Sequence, residues 1–419
     1  MNRYETYSRA GIRVTRIPNE SCLNPQNSGT DTRTFSAALL ILAPGGRQNA
    51  AQTAMIPASL MAGCRAYPSE TAILRRTEEL YGADFAASVI KKGAYNIIQI
   101  YAETLDYLTL PKDTLALMAE VSRRPLFSPE SFRRAKAALL ADISAAENDP
   151  RELARQRLFA AMFGDGPHGY PATGAREDAE NATPESVREQ YARLTRSAPV
   201  ELMIVGGDGA EQAARNAPEI FGLDAWQREP ADPEPAFAPE AFFTPPESPR
   251  VITDPTGAAE ARLAVGFRAD RPFDHYAAAL FSACLGGGPK SRLFRRLRGE
   301  LGLCYFIRAD YYRFAGAIVA EASLTPANVR RSAEIILSEV RAIREGGVSE
   351  KELRGAKADA LRALEGVKYS PPRLCDTLLS DIIAGEPFDP RRIETVTPGD
   401  IRRAARAFAP DTIYSLIPF

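Results

Sequence analysis

GGGPKSRLFRRLRGELGLCY, residues Gly286 to Tyr305, decides how this chain is read. Three glycines lead into a basic run with helical apolar spacing, and the run breaks at Gly302 shortly before an aromatic. An earlier stretch, ILRRTEELYG at Ile73 to Gly82, repeats the pattern of LFRRLRGELG at Leu293 to Gly302. Each is preceded by an extended apolar run (SAALLILA from Ser36, ARLAVGF from Ala261) and by a small-residue helix pattern (TAMIPASLMAGC, YAAALFSACLGGG). Each is followed by an extended stretch with an Ala-Glu pair, Ala102-Glu103 and Ala320-Glu321. Late helices pair too: TPESVREQYARL from Thr183 with TPGDIRRAARAF from Thr397. The matching features lie roughly 215–220 residues apart, the mark of a tandem duplication.

The repeats bracket QREPADPEPAFAPEAFFTPPESPR, Gln227 to Arg250, which is too rich in proline for a helix and reads as a linker. The expected organisation is a first repeat over residues 1–226, a linker over 227–250 and a second repeat over 251–419. Helix starts are written as a hydroxyl residue before proline at Ser128, Thr183, Thr325 and Thr397, and as a Ser349/Glu352 capping box. Extended runs between helices predict an α+β fold, each repeat a largely antiparallel sheet packed with helices.

Composition narrows the function. The 52 Lys and Arg against 53 Asp and Glu leave a net charge of −1, which speaks against nucleic acid or an anionic membrane as partner. The first twenty residues hold no apolar core of signal-peptide length, and no run approaches a membrane span, so the expected location is the cytoplasm. Cys22, Cys64, Cys284, Cys304 and Cys375 are scattered without C-x-x-C spacing and read as buried thiols. The only histidines, His168 and His275, lie far apart and read as a loop residue and a helix-start residue. No cofactor or metal site is expected.

Arg298 and Tyr305, seven positions apart, are the candidate site: an Arg at a helix C-terminus and a Tyr on the segment after it. The helix dipole favours such an Arg anyway, and such a Tyr suits an ordinary core, so spacing alone leaves both readings open. Gly286 to Gly288 lack the G-K-S/T context of a phosphate cradle and fit a close backbone approach. Arg292, Arg295, Arg296 and Arg298 form a basic cluster; Arg295 and Arg296 fit a solvated helix face.

The duplicated halves, the proline-rich linker, the stretch Gly286 to Tyr305 and PHGYPATG at Pro167 resemble the insulinase/pitrilysin family of metallopeptidases over almost the whole chain. The run from Tyr67 to Leu105, with its Leu80–Ala83 and Lys91–Gly93 elements, is similar to zinc-less bacterial members associated with elongation factor P aminopentanol modification. Active family members carry H-x-x-E-H in the first repeat, two His for zinc and a Glu as base, with a third Glu ligand later. Counting back from Leu60-Met61-Ala62-Gly63-Cys64, the two His positions fall on Ala54 and Ala58, the base on Pro57, and the third ligand on Ala135. Neither alanine nor proline can coordinate zinc or move a proton, so the resemblance implies a chain inactive by itself.

In the family an Arg and a Tyr at the spacing of Arg298 and Tyr305 hydrogen-bond the peptide carbonyl and developing oxyanion. Lys290-Ser291 replaces the usual Ser-Ser ahead of Arg292-Leu293-Phe294. The resemblance therefore implies a non-catalytic subunit that pairs with a zinc-bearing peptidase paralogue as a heterodimer. It would lend Arg298 and Tyr305 to the partner's site and form half of a chamber for an unfolded peptide. The alternative is a scaffold protein that keeps the fold and takes no part in proteolysis.

Overall fold

A computed structural model describes residues 4–18, 34–223, 226, 228–229, 242–367 and 370–419. Cys22 and most of the proline-rich stretch, residues 227 and 230–241, lie outside the described residues.

The strands form two sheets. The first holds β1 (Glu5–Arg9), β2 (Ile12–Pro18), β3 (Thr34–Pro44), β4 (Asp84–Lys92), β5 (Tyr95–Leu105) and β6 (Val200–Gly206), in the order β1-β2-β6-β3-β5-β4. The second holds β7 (Arg250–Thr256), β8 (Ala261–Ala269), β9 (Cys304–Tyr312), β10 (Ala317–Leu324) and β11 (Phe408–Pro418), in the order β7-β11-β8-β10-β9. With hairpin strand β1 set aside, the two sheets are wired identically. One parallel pair (β2 with β6, β7 with β11) is followed by antiparallel pairs throughout. The α+β duplication read from the sequence is thus present strand for strand.

Two compact units result, each drawing on three stretches of chain. One contains residues 1–143, 171–234 and 366–383; the other contains 144–170, 235–365 and 384–419. In the first, the helix Ala50–Met61 lays Met55, Ile56 and Leu60 into a core with β3 and β5. In the second, the helices His275–Gly286 and Val329–Gly346 cover one face of the sheet around Phe267, Phe281 and Ile336. The helix Pro150–Phe163, early in sequence, covers the other face with Ala154, Leu158 and Met162 against Ala264, Val319 and Tyr414. β3 and β10 are buried along nearly their whole length, which is why they read as unbroken apolar runs and not as alternating ones.

Local signals explain most element ends. Thr183 with Ser186, Thr397 with Asp400, and Ser349 with Glu352 form reciprocal capping boxes. Ser128 accepts from the amide of Ser131 at 3.1 Å. Each cap is worth about 1 kcal/mol. Thr325 departs from expectation: its side chain makes no cap, Pro326–Asn328 is a 3-10 turn, and the helix proper begins at Val329. The reading of Gln227 to Arg250 as a linker misses that Arg250 already opens β7.

Candidate functional site

The basic helix expected before Gly302 is wider than an α-helix. Phe294–Glu300 winds as a π-helix, with the Leu301 amide donating to the Arg296 carbonyl five residues back at 3.2 Å. Single π turns are uncommon and concentrate at functional positions. Leu297 is fully buried and the Leu303 amide donates to its carbonyl at 2.8 Å, so the turn is tied directly to the strand β9 that follows. Gly302, at φ +59°, makes the left-handed corner between them.

The entry to this turn fits the close-approach reading of the glycines. A Cβ on Gly286 would stand 2.4 Å from the Ala309 amide nitrogen of β9, and one on Gly287 would stand 2.7 Å from the Ala283 carbonyl oxygen. No larger residue fits without moving backbone.

Glu352 holds the turn. Arg292 donates to its two carboxylate oxygens at 2.9 and 3.3 Å and to the Gly347 carbonyl at 3.0 Å; Arg295 donates to the same carboxylate at 3.0 Å. The Ser349 amide and hydroxyl each donate to Glu352 at 2.8 Å. Burial would push this carboxyl up; Arg292 and the Ser349 donors override it and hold the group down at about 2. Arg296 donates to Glu300 at 2.6 Å. Arg295 and Arg296 remain about half exposed, at 54% and 50%, in keeping with a solvated helix face.

Arg298 differs from these neighbours. It is exposed and makes no ion pair among the described residues; its guanidinium lies 5.1 Å from the centre of the Phe294 ring. Burial raises the Cys304 thiol and the charge of Arg298 partly offsets the rise, so the guanidinium's field reaches the residue next to Tyr305.

Tyr305 sits on an irregularity of its own. β9 and β10 pair in register from Ala317 with Tyr312 to Ser323 with Phe306, and then Leu324 pairs with Cys304. Tyr305 is therefore the extra residue of a β-bulge. A bulge leaves one residue unpaired and re-aims its side chain. Tyr305 is 60% exposed, whereas Cys304 and Ile307 beside it are buried. The equivalent pair in the first sheet, β4 with β5, runs from Asp84 to Lys92 with no shift. The bulge belongs to the second repeat only. The tyrosine is thus no core residue, and the alternative that sequence spacing left open for it is closed.

The first repeat supplies no chemistry to match. The helix Ala50–Met61 carries Ala54 and Ala58 one turn apart, with the Ala58 side chain exposed. Pro57 lies inside that helix and is buried; it has no amide to give the Thr53 carbonyl. Thr53 is fixed instead through its side chain, which donates to the Asn49 carbonyl at 2.8 Å and accepts from Gln190 at 2.9 Å. Ala135, at the third ligand position, is packed in the core of the same unit. Among the described residues no three His, Cys, Asp or Glu side chains come together as a metal site.

Among the described residues, the cysteines and histidines are buried or packed against aromatic rings. Cys64, Cys284, Cys304 and Cys375 are buried free thiols, and burial raises all four, Cys284 and Cys375 to about 12. His168 packs on Phe163, with ring centres 5.4 Å apart. His275 opens its helix stacked on Tyr276, and burial pushes it down to about 4. The paired glutamates also have structural roles: Glu103 accepts from Ser36 and Tyr101, and Glu321 is buried with its carboxylate 3.7 Å from Arg151.

Sequence reading found Arg298 and Tyr305 but neither the bulge nor the Glu352 anchor. The Ser349/Glu352 capping box was visible; that the same carboxylate clamps arginines roughly sixty positions upstream was not, because that pairing exists only in the fold.

Comparisons with known proteins agree with this anatomy. A family model described as the peptidase M16 inactive domain matches residues 181–359, a span that includes the π-turn and the bulge. A probable inactive metalloprotease of Bacillus subtilis, YmfF, is 23% identical over 92% of this chain and 93% of its own length. An uncharacterized zinc protease of Streptomyces coelicolor is 24% identical over 73% of this chain and 68% of its own. A conserved Enterococcus faecalis protein shares the fold at TM-score 0.86 and 18% identity, with 99% of both chains covered. A Pseudomonas fluorescens peptidase M16 inactive domain does so at TM-score 0.79 and 20% identity, over 99% of this chain and 98% of that one. No helix among the described residues is long and apolar enough to cross a membrane. The chain is thus similar to the peptidase M16 inactive domain over residues 181–359 and to a probable inactive metalloprotease over nearly its whole length, with alanine where that resemblance places zinc ligands.

Proposed function

We propose that this chain is the non-catalytic subunit of a heterodimeric zinc peptidase in the cytoplasm. A zinc-bearing M16 paralogue is the partner, and an unfolded peptide is the substrate. The observation that carries this reading is the pairing of two backbone irregularities. An exposed Tyr305 on a bulge and an exposed Arg298 on a π-turn flank one glycine corner, in a chain whose own first repeat lacks zinc ligands.

Chemically, the Tyr305 hydroxyl donates a hydrogen bond to the oxyanion that forms as water attacks the scissile carbonyl at the partner's zinc. Arg298, a fixed cation with planar donors, holds a neighbouring peptide carbonyl and adds positive charge where negative charge develops. Neither residue transfers a proton, so the chain contributes orientation and electrostatic stabilisation while the partner supplies metal and base. The test is a quenched-peptide assay on the two chains mixed. Activity should require both, and Arg298→Ala or Tyr305→Phe in this chain should lower turnover without weakening association. Unchanged turnover in both variants refutes the donated pair.

The competing reading, a scaffold with a retained peptidase fold, predicts that the chain purifies in a stable assembly without any peptidase. It also predicts that both substitutions are silent there.

A further inference from the structure

The ends of two helices in the second unit meet around a basic cavity. Val329–Gly346 and Pro398–Arg406 both terminate there, and the Arg406 Nε donates to the Arg344 carbonyl at 3.0 Å. The cavity is an open surface depression of about 450 Å³, lined by Arg271, Arg341, Arg344, Glu345 and Arg406, of which only Arg344 is half-buried and the others are exposed. Arg271 is held by Asp270 through two bonds of 2.6 and 3.0 Å. Arg341 and Arg344 form no ion pair among the described residues, although Glu345 shares the lining.

Arginine at a helix C-terminus normally offsets the partial negative charge of the last carbonyls, about half a charge per helix. Two helix ends with Glu345 and Asp270 do not balance four guanidinium groups, so a positive surplus remains. The lining cations are all arginine and none is lysine. Guanidinium presents a planar fork of donors that matches two oxygens of one phosphate, and it stays charged at every physiological pH. The volume suits a compact ligand and is at the lower end of small-molecule sites.

We propose that this cavity is a binding site for phosphate groups, of diphosphate or triphosphate size, with Arg341 and Arg344 as its principal donors. The site is separate from Arg298 and Tyr305 and does not depend on their role. Phosphate could arrive as a free anion or on a lipid headgroup, and the two sources are distinguished directly.

The experiment is calorimetric titration of the full chain with sodium pyrophosphate at fixed ionic strength, alongside co-sedimentation with phosphatidylglycerol vesicles. Saturable binding in either arm is expected, and the arm that responds identifies the source. Arg341→Gln with Arg344→Gln should weaken it at least about tenfold, since each charge-assisted bond is worth about 1.5–3 kcal/mol. Arg330→Gln with Arg331→Gln, on the same helix away from the cavity, should bind as the wild type does. Thermal melts without ligand check that both double variants are folded. Absence of saturable binding in both arms, or binding equal in the two double variants, overturns the assignment.

Discussion

Glu352→Gln tests whether the π-turn is held in place by a single carboxylate. The side chain is 16% exposed and collects donors from Arg292, Arg295 and Ser349. Its carboxyl lies at about 2, against an ordinary 4.5. Each unit of such a difference is worth about 1.4 kcal/mol, which sets an upper bound near 3 kcal/mol; residual solvent screening brings the expected contribution to about 2 kcal/mol. The group is depressed in the fold, so its contribution is complete above pH 4.5 and fades as pH falls through 2. Glutamine keeps the shape and loses the charge. In a compact unit of roughly 200 residues, about 2 kcal/mol lowers the melting temperature by about 4–8 °C. The assay is urea unfolding of wild type and variant at pH 7 and again near pH 2.5, following a probe in the second unit. The gap between them should be present at pH 7 and should shrink toward pH 2. A gap under about 0.5 kcal/mol at pH 7, or one that persists unchanged in acid, refutes the reasoning.

Four further outcomes are expected. In the mixed peptidase assay, Tyr305→Phe should lower kcat about 10²-fold with little change in KM, because the lost donor acts on the oxyanion and not on bound substrate. Gly286→Ala should destabilise the second unit by about 1–3 kcal/mol by forcing backbone apart at Ala309, read as a lowered urea midpoint. His275 is pushed to about 4 while the unfolded chain titrates near 6.5, so the folded state should lose stability as pH falls from 6.5 toward 4. His275→Phe should flatten that segment of the stability profile, in a pH window above the one assigned to Glu352. Finally, alkylation of the native protein followed by peptide mapping should leave Cys64, Cys284, Cys304 and Cys375 unmodified, since burial keeps them as thiols.

The linear sequence was sufficient for whatever depends on local periodicity and repetition. The duplication, the α+β class and the capping boxes at Thr183, Ser349 and Thr397 all follow from residue type and spacing, and the family resemblance places alanine where zinc ligands would stand. Hydrophobic periodicity and hydroxyl caps act within a turn or two, so neighbours in sequence are the partners that count. Strands β4 and β9 were less legible, because they lie at sheet edges and mix polar with apolar residues.

Tertiary structure alone decided the rest. Nothing within the helix Pro150–Phe163 says that it covers the second sheet, and nothing near Glu352 names Arg292 as its partner. Tyr305 shows the division most clearly. Its residue type and distance from Arg298 are written in the chain, but its exposure comes from a one-residue slip against β10. Register is a property of two strands together, fixed by the cores on both faces, and no single strand encodes it.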